Sequence, residues 1–317
     1  MANKNKILVI RGGAIGDFIL TLPVFSALKE QFPKSQIDVL GYAHIAELAL
    51  LSGHVDQVHS IEARGLAGYF AKNGDLDKKL KDLFNTYGLI ISYLYDPQEI
   101  FKTNVAKISD AQFIIGPHRP DDSGHVHATE VFLDPLKALA IFEPDIRPKI
   151  SGDLLPVAPI EIKKTDRQFL LAIHPGSGSE KKNWPEENWV TLIKNLIAET
   201  DIKFLLVGGE SERERYINIS RIIPSDRKYE SYSLPLSELA SCLSKADGFL
   251  GHDSGLSHLA AAVGIEGIVL WPHTNPRVWA PRSEKMRLVY NESGIAYITV
   301  MEVFDRILKF FINKQNS

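Results

Sequence analysis

The sequence predicts an α/β protein made of two parallel-sheet domains. In both halves of the chain, short apolar runs alternate with stretches of helical periodicity, a pattern typical of parallel strands covered by helices on both faces. A stretch with several prolines and no clean periodicity, residues 142–168, separates the halves. The length of 317 residues suits two domains of ordinary size.

In the N-terminal half, each apolar run is followed by an amphipathic stretch. Strands are expected at 6–12, 36–42, 55–61, 89–96 and 111–117. Helices are expected at 17–33, 44–53, 75–88 and 125–140. Gly53 should close the second of these helices, and Pro135 should break the last one because proline cannot continue a helix.

The same alternation restarts in the C-terminal half. Strands are expected at 168–176, 202–209, 247–252 and 266–272. Helices are expected at 185–200, 211–223, 236–246, 254–264 and 299–315. Pro185, followed by acidic residues, favours the start of the first of these helices.

Composition limits the class of protein. Hydrophobic residues make up 44% and charged residues 24%, as in soluble globular proteins, and a net charge of −3 disfavours a general nucleic-acid binder. The single cysteine, Cys242, fits a reducing compartment and a small apolar helix position. No apolar run is long enough to span a membrane and no signal peptide is evident, so we expect a cytoplasmic enzyme, with peripheral membrane contact left open.

Four loops follow predicted strands and open predicted helices. Ligands of open α/β sheets bind at the carboxyl ends of the strands, so we expect these loops to line one cleft. Loop one, residues 11–17, reads RGGAIGD, and its glycine spacing does not match a dinucleotide fingerprint. Asp17 there is either a helix cap or a general base.

Loop two, residues 174–189, combines glycines, hydroxyls and positive charge before a helix. Its hydroxyls are Ser177 and Ser179, and its lysines are Lys181 and Lys182. Such a set describes a phosphate site, although no Walker P-loop is present. The alternative is a solvated surface loop. Trp184 and Trp189 are expected to pack the helix rather than stack on a ligand.

Loop three, residues 207–215, places acidic residues after two glycines at a strand end. Glu210 or Glu212 could accept hydrogen bonds from ribose hydroxyls. The alternative is that these acids only complement the first turn of the following helix.

Loop four, residues 251–262, reads GHDSGLSHLAAA and carries the densest polar chemistry. Ser254 could cap the helix, Gly255 allows close approach of a ligand, and His258 lies one turn later on the same side. Asp253 and His258 suit a sugar or a phosphate, whereas His252 could be structural. No metal-ligand spacing and no nucleophile elbow are present, which disfavours a metal site and a serine hydrolase.

Three of these stretches in this order resemble glycosyltransferase family 9, the lipopolysaccharide heptosyltransferases. They are ILVIRGGAIGDFILTLPVFSALK, HPGSGSEKKNWPEENW and DGFLGHDSGLSHLAAAVG. The resemblance implies a GT-B fold with two Rossmann-like domains facing across a cleft. It implies an acceptor-binding domain at 1–155, a nucleotide-sugar-binding domain at 156–298 and a C-terminal helix, 299–317, that returns to the N-terminal domain.

The resemblance also implies an activity and roles for single residues. The reaction would be an inverting, metal-independent transfer of heptose from ADP-heptose to a hydroxyl of the lipopolysaccharide core, without a cofactor. Asp17 would be the general base. The donor would be held by Ser177, Lys182, Glu212 or its rival Glu210, Leu234, Asp253, Ser254, Gly255 and His258.

Other interpretations remain at this point. An epimerase-like nucleotide-sugar enzyme and a non-catalytic sugar-nucleotide binding protein share the fold, while the missing fingerprint disfavours an NAD-dependent oxidoreductase. Partners are expected to be the nucleotide-sugar donor and a glycolipid or oligosaccharide acceptor. Contact of the protein with the inner face of the inner membrane is left open. His118, Arg119, His125 and His127 are expected to be solvated loop residues rather than contacts to an anionic acceptor.

Overall fold

The computed structural model describes residues 4–165 and 168–315. The chain divides into two compact units, Met1–Leu154 and Leu155–Ser317, one residue from the predicted boundary. Each unit contains one parallel sheet with helices around it. Within the described residues, no helix combines the length and the apolar character that a membrane span requires.

The first unit contains a five-stranded parallel sheet in the order β3-β2-β1-β4-β5. Its strands are β1 (Lys6–Arg11), β2 (Gln36–Gly41), β3 (Gln57–Ser60), β4 (Leu89–Ser92) and β5 (Gln112–Ile115). All five are at predicted positions. Strand β1 lies at the centre, with Ile7 in register with Ile37 on one side and with Leu89 on the other. Loop one therefore leaves the sheet at its middle, where strand order reverses.

Short helices surround this sheet. They are α1 (Ile15–Ile19), α2 (Leu22–Gln31), α3 (Ala43–Ala46), α4 (Lys78–Phe84), α5 (Ile100–Ala106) and α6 (Ala128–Leu133), with 3₁₀ turns at Glu47–Ser52, Arg64–Phe70 and Asp134–Leu139. Gly53 closes its helix at φ +76°, and the break at Pro135 is present, both as predicted. Helix α5 was not predicted.

The single helix predicted at 17–33 is wrong, because the structure has two helices there. Helix α1 begins at Ile15 and ends after one turn. At the break, the Thr21 N–H bonds to the carbonyl of Phe18 and its hydroxyl donates to the carbonyl of Asp17 at 2.8 Å. Pro23 then lacks an N–H to continue the first helix but suits the first turn of the second.

The second unit contains a six-stranded parallel sheet in the order β11-β10-β9-β6-β7-β8. Its strands are β6 (Leu170–Ile173), β7 (Lys203–Gly208), β8 (Lys228–Tyr232), β9 (Gly248–His252), β10 (Gly267–Trp271) and β11 (Met286–Tyr290). The two edge strands, β8 and β11, were not predicted. Their half-buried sequences, KYESY and MRLVY, lack the continuous apolar run that identifies the central strands.

The helices of this unit are α7 (Glu186–Glu199), α8 (Arg213–Ile222), α9 (Leu236–Leu243), α10 (Gly255–Val263), α11 (Pro276–Trp279) and α12 (Val300–Gln315). Helix α12 packs on α7, and its Val303, Phe304 and Ile307 belong to the buried core of the second unit. Its return to the N-terminal domain stays a prediction. Trp184 and Trp189 pack edge to face in the same core with ring centres 5.7 Å apart, which confirms their expected packing role.

Candidate active site

Loop one turns sharply between β1 and α1. Gly13 has φ +97°, the left-handed region that favours glycine. The Asp17 Oδ2 accepts a hydrogen bond from the Ala14 N–H at 3.2 Å and so caps α1. The cap interpretation of Asp17 is therefore confirmed. Its side chain nevertheless keeps 28% of its surface exposed, which leaves the carboxylate accessible to a ligand.

A buried arginine lies beside this carboxylate. The Arg11 guanidinium donates to the carbonyls of His118 at 2.8 Å and Asp17 at 3.3 Å, and its Nη2 lies 3.8 Å from the Asp17 Oδ1. It also lies over the ring of Phe132, 4.3 Å from the ring centre. Burial lowers the pKa of Arg11, but a guanidinium keeps its charge at neutral pH. Sequence reasoning missed Arg11, which looks like an ordinary strand end.

Four residues of the first unit were expected to be solvated. His118 and His125 are exposed, and Arg119 is an exposed partner of Asp122, as predicted. The expectation is wrong for His127. That residue is buried and accepts the Thr129 N–H at 3.2 Å, because its ring serves as the N-cap of α6.

In the second unit, loops two, three and four follow β6, β7 and β9. These three strands are neighbours at the centre of the sheet, and the carboxyl ends of parallel strands meet at one edge. The structure therefore brings the three loops together, as the sequence predicted.

Loop two is tightened by Ser177. This residue is buried, and its hydroxyl lies 2.8 Å from the Asn183 Oδ1 and 3.0 Å from the carbonyl oxygen of Ser179. Asn183 is also buried, and its Nδ2 has no hydrogen-bond partner among the described residues. The single hydroxyl proton of Ser177 is taken by one of these acceptors, so Ser177 has a structural role here and its contact to a ligand stays a prediction. Asn183 offers an amide donor that sequence reasoning missed.

An ion pair joins loop two to loop four. The Lys182 Nζ lies 2.6 Å from the Asp253 Oδ2, with the lysine 37% exposed and the aspartate 6% exposed. The same oxygen accepts the Thr274 hydroxyl at 2.7 Å. Asp253 therefore orients the lysine, which keeps further N–H groups for an anionic ligand. Thr274 follows β10, and nothing in the sequence indicated that it would belong to the site.

Helix α10 begins at Gly255, next to this ion pair. Ser254 is the N-cap residue, but its side chain does not cap the helix, so that expectation is wrong. The hydroxyl lies 3.4 Å from the Nδ1 of the buried His174 instead. His258 lies in the first turn of α10 and is 5% exposed. The N–H groups at the start of α10 add positive potential at this point.

His252 is a structural residue beneath the loops. Its Nε2 accepts the Trp184 N–H at 3.0 Å, so the proton lies on Nδ1, which donates to the carbonyl of Gly176 at 3.3 Å. Burial lowers the pKa of His252 to about 3, and the ring is therefore neutral. His252 therefore attaches loop two, at Gly176 and Trp184, to the end of β9.

The two acids of loop three differ in their surroundings. The Glu212 carboxylate accepts the Gly209 N–H at 3.1 Å and the Ser211 hydroxyl at 2.8 Å, so it caps its own turn. The helix-start interpretation is confirmed for this residue. A Cβ at Gly176 would clash with the Glu212 side chain, which shows how closely loops two and three pack.

Glu210 lies on the open side of loop three. It is exposed, and its Oε1 lies 3.4 Å from the hydroxyl of Ser233 at the end of β8. Leu234 follows Ser233 directly and is half-buried. Glu210 and Leu234 thus follow two neighbouring strands, β7 and β8.

Arg215 was missed by sequence reasoning because it lies within the charged run SERER. From α8 it donates to the carbonyl of Trp184 at 3.1 Å and to the Glu180 carboxylate at 3.0 Å. These two hydrogen bonds attach loop two to α8. Within residues 4–165 and 168–315, no group of three or more His, Cys, Asp or Glu side chains is arranged to hold a metal ion.

Residues 149–300 match the sequence model of glycosyltransferase family 9 (heptosyltransferase). The chain carries a family 9 glycosyltransferase domain. Loops two, three and four all lie inside the matched segment, so the site described above belongs to that domain. The protein is a glycosyltransferase, as the resemblance of its motifs predicted.

Relatives and solved structures resemble this chain over nearly its whole length. The chain is 23% identical over 309 residues to lipooligosaccharide heptosyltransferase 2 of Haemophilus influenzae, covering 90% of this chain and 88% of that protein. The structure of the E. coli ADP-heptose lipopolysaccharide heptosyltransferase II superposes with a TM-score of 0.76 at 17% identity, covering 98% and 99% of the two chains. The E. coli heptosyltransferase WaaC with ADP gives 0.73 at 19% identity, covering 96% and 99%. The predicted GT-B fold is confirmed.

Proposed function

We propose that this family 9 enzyme transfers heptose from ADP-heptose to a hydroxyl of a lipopolysaccharide core acceptor, with inversion at the anomeric carbon. The names of the relatives support the donor and the acceptor. The observation that carries the proposal is the ion pair of Lys182 and Asp253 at the start of α10. It holds a cation and free helix N–H groups at one place, which suits a diphosphate.

The second unit would hold the donor. Lys182 and the N–H groups of α10 would bind the diphosphate, with Ser177 and Asn183 shaping the loop around it. Asp253, Ser254, Gly255 and His258 would lie near the donor sugar and its phosphates. As the leaving diphosphate gains charge, the Lys182 ammonium and the N–H groups of α10 would stabilise it more than they stabilise the ground state.

The nucleoside would lie at the ends of β7 and β8. Glu210 would accept the ribose hydroxyls because its carboxylate is exposed, although it also contacts the hydroxyls of Ser233 and Tyr232. Glu212 is the rival, but both of its oxygens already accept hydrogen bonds within loop three. The backbone at Leu234 would meet the adenine.

The first unit would supply the base. The acceptor oxygen forms a bond to the anomeric carbon while the bond from that carbon to the diphosphate oxygen breaks. The acceptor proton passes to the Asp17 carboxylate, and the electron pair of the broken bond leaves with ADP. One in-line displacement of this kind inverts the anomeric centre and needs a single base.

The reaction would need no metal and no cofactor, since Lys182 and helix N–H groups would supply the positive charge. Addition of a chelator should then leave the initial rate unchanged, and a rate that falls and returns with Mg²⁺ would contradict this part of the proposal. The acceptor would be a glycolipid or oligosaccharide, with the enzyme working in the cytoplasm at the inner face of the inner membrane.

Calorimetric titration with ADP, UDP, GDP and NAD tests the donor assignment. We expect ADP to bind at least about tenfold more tightly than the others, roughly 1.4 kcal/mol. Preference for UDP or GDP would contradict ADP-heptose as the donor, while the assignment of the fold would still hold. Product analysis by NMR with ADP-heptose then tests inversion through the configuration of the new linkage.

A further inference from the structure

A fifth loop reaches the site from the next strand of the second sheet. Strand β10 lies beside β9 with Leu270 in register with His252, so Trp271 at the end of β10 is level with Asp253 in loop four. Residues 272–275, here called loop five, then connect β10 to α11. None of the four loops predicted from the sequence includes this segment.

Hydrogen bonds on both sides fix loop five. The indole N–H of Trp271, which is almost completely buried, donates to the carbonyl oxygen of Thr274 at 2.6 Å. The Asn275 side chain accepts the Arg277 N–H at 3.1 Å and caps α11. The backbone of Thr274 is therefore held between a core side chain and a helix start. Its side chain is branched at Cβ and half-buried, which restricts the direction of the hydroxyl.

The Thr274 hydroxyl and the Lys182 ammonium share one oxygen of Asp253. The hydroxyl donates to the Asp253 Oδ2 at 2.7 Å, and the Lys182 Nζ lies 2.6 Å from the same atom. In the part of the chain that the structure describes, this oxygen thus has one neutral donor and one charged donor. Because Asp253 is 6% exposed, water cannot readily replace either of them.

A bound diphosphate would compete with Asp253 for the Lys182 ammonium. When the lysine turns towards the phosphates, the buried carboxylate loses part of its pairing, and a buried charge without a partner is costly in free energy. The Thr274 hydroxyl remains on the carboxylate and reduces this cost. It also offsets part of the negative charge that Asp253 would otherwise present to the diphosphate.

We propose that Thr274 is a positioning residue for the donor diphosphate and acts through Asp253 and Lys182. Its hydroxyl lets Asp253 orient the lysine while the ammonium stays free to share its charge with the phosphates. Thr274 itself needs no contact with the donor in this role. The inference rests on the proposed function and adds to the site a loop without a phosphate-binding motif.

Thr274→Val tests the role of the hydroxyl, because valine is close to threonine in shape and cannot donate. Calorimetric titration of the full chain should show ADP binding about tenfold weaker than in the wild type, since a hydrogen bond to a charged group is lost. Thr274→Ser keeps a hydroxyl and should retain most of the affinity. Equal losses in both variants would show that packing, and not the hydroxyl, matters, and would overturn the proposal.

Thr200→Val is the matched control. Thr200 is half-buried in the same unit, and its hydroxyl donates to the carbonyl oxygen of Leu196 at 2.6 Å. It precedes β7 at the amino edge of the sheet, whereas the loops of the site leave the carboxyl edge. This variant should bind ADP like the wild type, and melting curves establish that each variant is folded. A loss as large as that of Thr274→Val would contradict a specific role of Thr274.

A double-mutant cycle separates action through Lys182 from a general effect on the loops. In a Lys182→Ala background, Thr274→Val should change the ADP affinity by less than about twofold, because the lysine on which Thr274 acts is gone. An equally large effect with and without Lys182 would overturn the proposal.

The same titrations distinguish failure of this inference from failure of the proposed function. If the wild type binds ADP and Lys182→Ala weakens that binding while Thr274→Val does not, the role of Thr274 alone is wrong. If the wild type does not bind ADP, the donor assignment is wrong and this inference falls with it.

Discussion

Lys182 and Asp253 lie 71 residues apart in the chain and form an ion pair with 2.6 Å between Nζ and Oδ2. Asp253 is almost completely buried, and the Thr274 hydroxyl shares its oxygen. The aspartate thus holds the lysine head in one place at the end of the sheet. A diphosphate would then meet a preoriented cation rather than a mobile one, which lowers the entropic cost of binding.

The first prediction concerns this lysine. Lys182→Ala should weaken ADP binding by about ten- to a hundredfold, because a charge-assisted hydrogen bond to the diphosphate is lost. Lys181→Ala is the matched control, since Lys181 is exposed next to it. Calorimetry measures both. Equal affinities of wild type and Lys182→Ala would show that loop two does not bind the diphosphate.

The second prediction concerns Asp17. Asp17→Asn retains an oxygen that can accept the Ala14 N–H and cap α1, but it cannot take a proton. We expect transfer to fall by about a hundredfold or more while ADP affinity and thermal stability stay near those of the wild type. The measurement combines kcat, an ADP titration and a melting curve. A variant that retains wild-type kcat would exclude Asp17 as the base.

The third prediction separates the two acids of loop three. Glu210→Gln should reduce the preference for ADP over an ADP analogue that lacks both ribose hydroxyls, with little change in stability. Glu212→Gln should instead lower the unfolding temperature, because it weakens the cap at Gly209, and should retain the preference. Titrations of each variant with ADP and with the analogue measure this preference. Loss of preference only in Glu212→Gln would assign the ribose to Glu212.

The fourth prediction concerns pH. Burial lowers the pKa of His252 to about 3, whereas an unfolded histidine titrates near 6.5. Between these values the unfolded chain binds more protons, so the contribution of His252 is fully present above about pH 6.5 and is lost as the pH falls towards 3. At pH 5.5 the loss should be about 1.4 kcal/mol. Burial shifts the pKa of His174 in the same direction.

Urea unfolding from pH 7.5 to 5.0 measures this effect. His252→Gln should have a smaller pH slope in the free energy of unfolding, together with a lower stability at pH 7.5, because it disturbs the bond from the Trp184 N–H. His44→Gln, at an exposed position, is the control. An unchanged slope in His252→Gln would contradict the assignment of the pH dependence to this residue.

Much of the fold could be predicted because the central strands carry continuous apolar runs. Strands β1 and β9 are buried on both faces, and their sequences show it directly. The edge strands β8 and β11 were missed because they are half-buried and their sequences resemble those of loops. Helix α5, a short helix after an irregular stretch, has little periodicity to detect.

The site could be predicted in its parts but not in its contacts. The motifs singled out Asp17, Lys182 and Asp253 as candidates, yet no pattern in the sequence indicates that Thr274 shares the Asp253 oxygen or that Arg215 contacts loop two. Ser254 was expected to cap α10, and its hydroxyl turns to His174 instead. Such choices depend on which partners lie within reach after folding.

The sequence by itself determined the alternation of strands and helices and the place of each polar loop at the end of a strand. These follow from local periodicity and from turn chemistry, which act between neighbours in the chain. The tertiary structure decided which of the loop residues touch: that Asp253 orients Lys182, that His252 is a neutral core residue, and that Glu212 caps its own turn while Glu210 stays exposed. Hydrogen bonds and ion pairs act over about 3 to 4 Å, and only the packing of the sheet brings groups from distant parts of the chain within that distance.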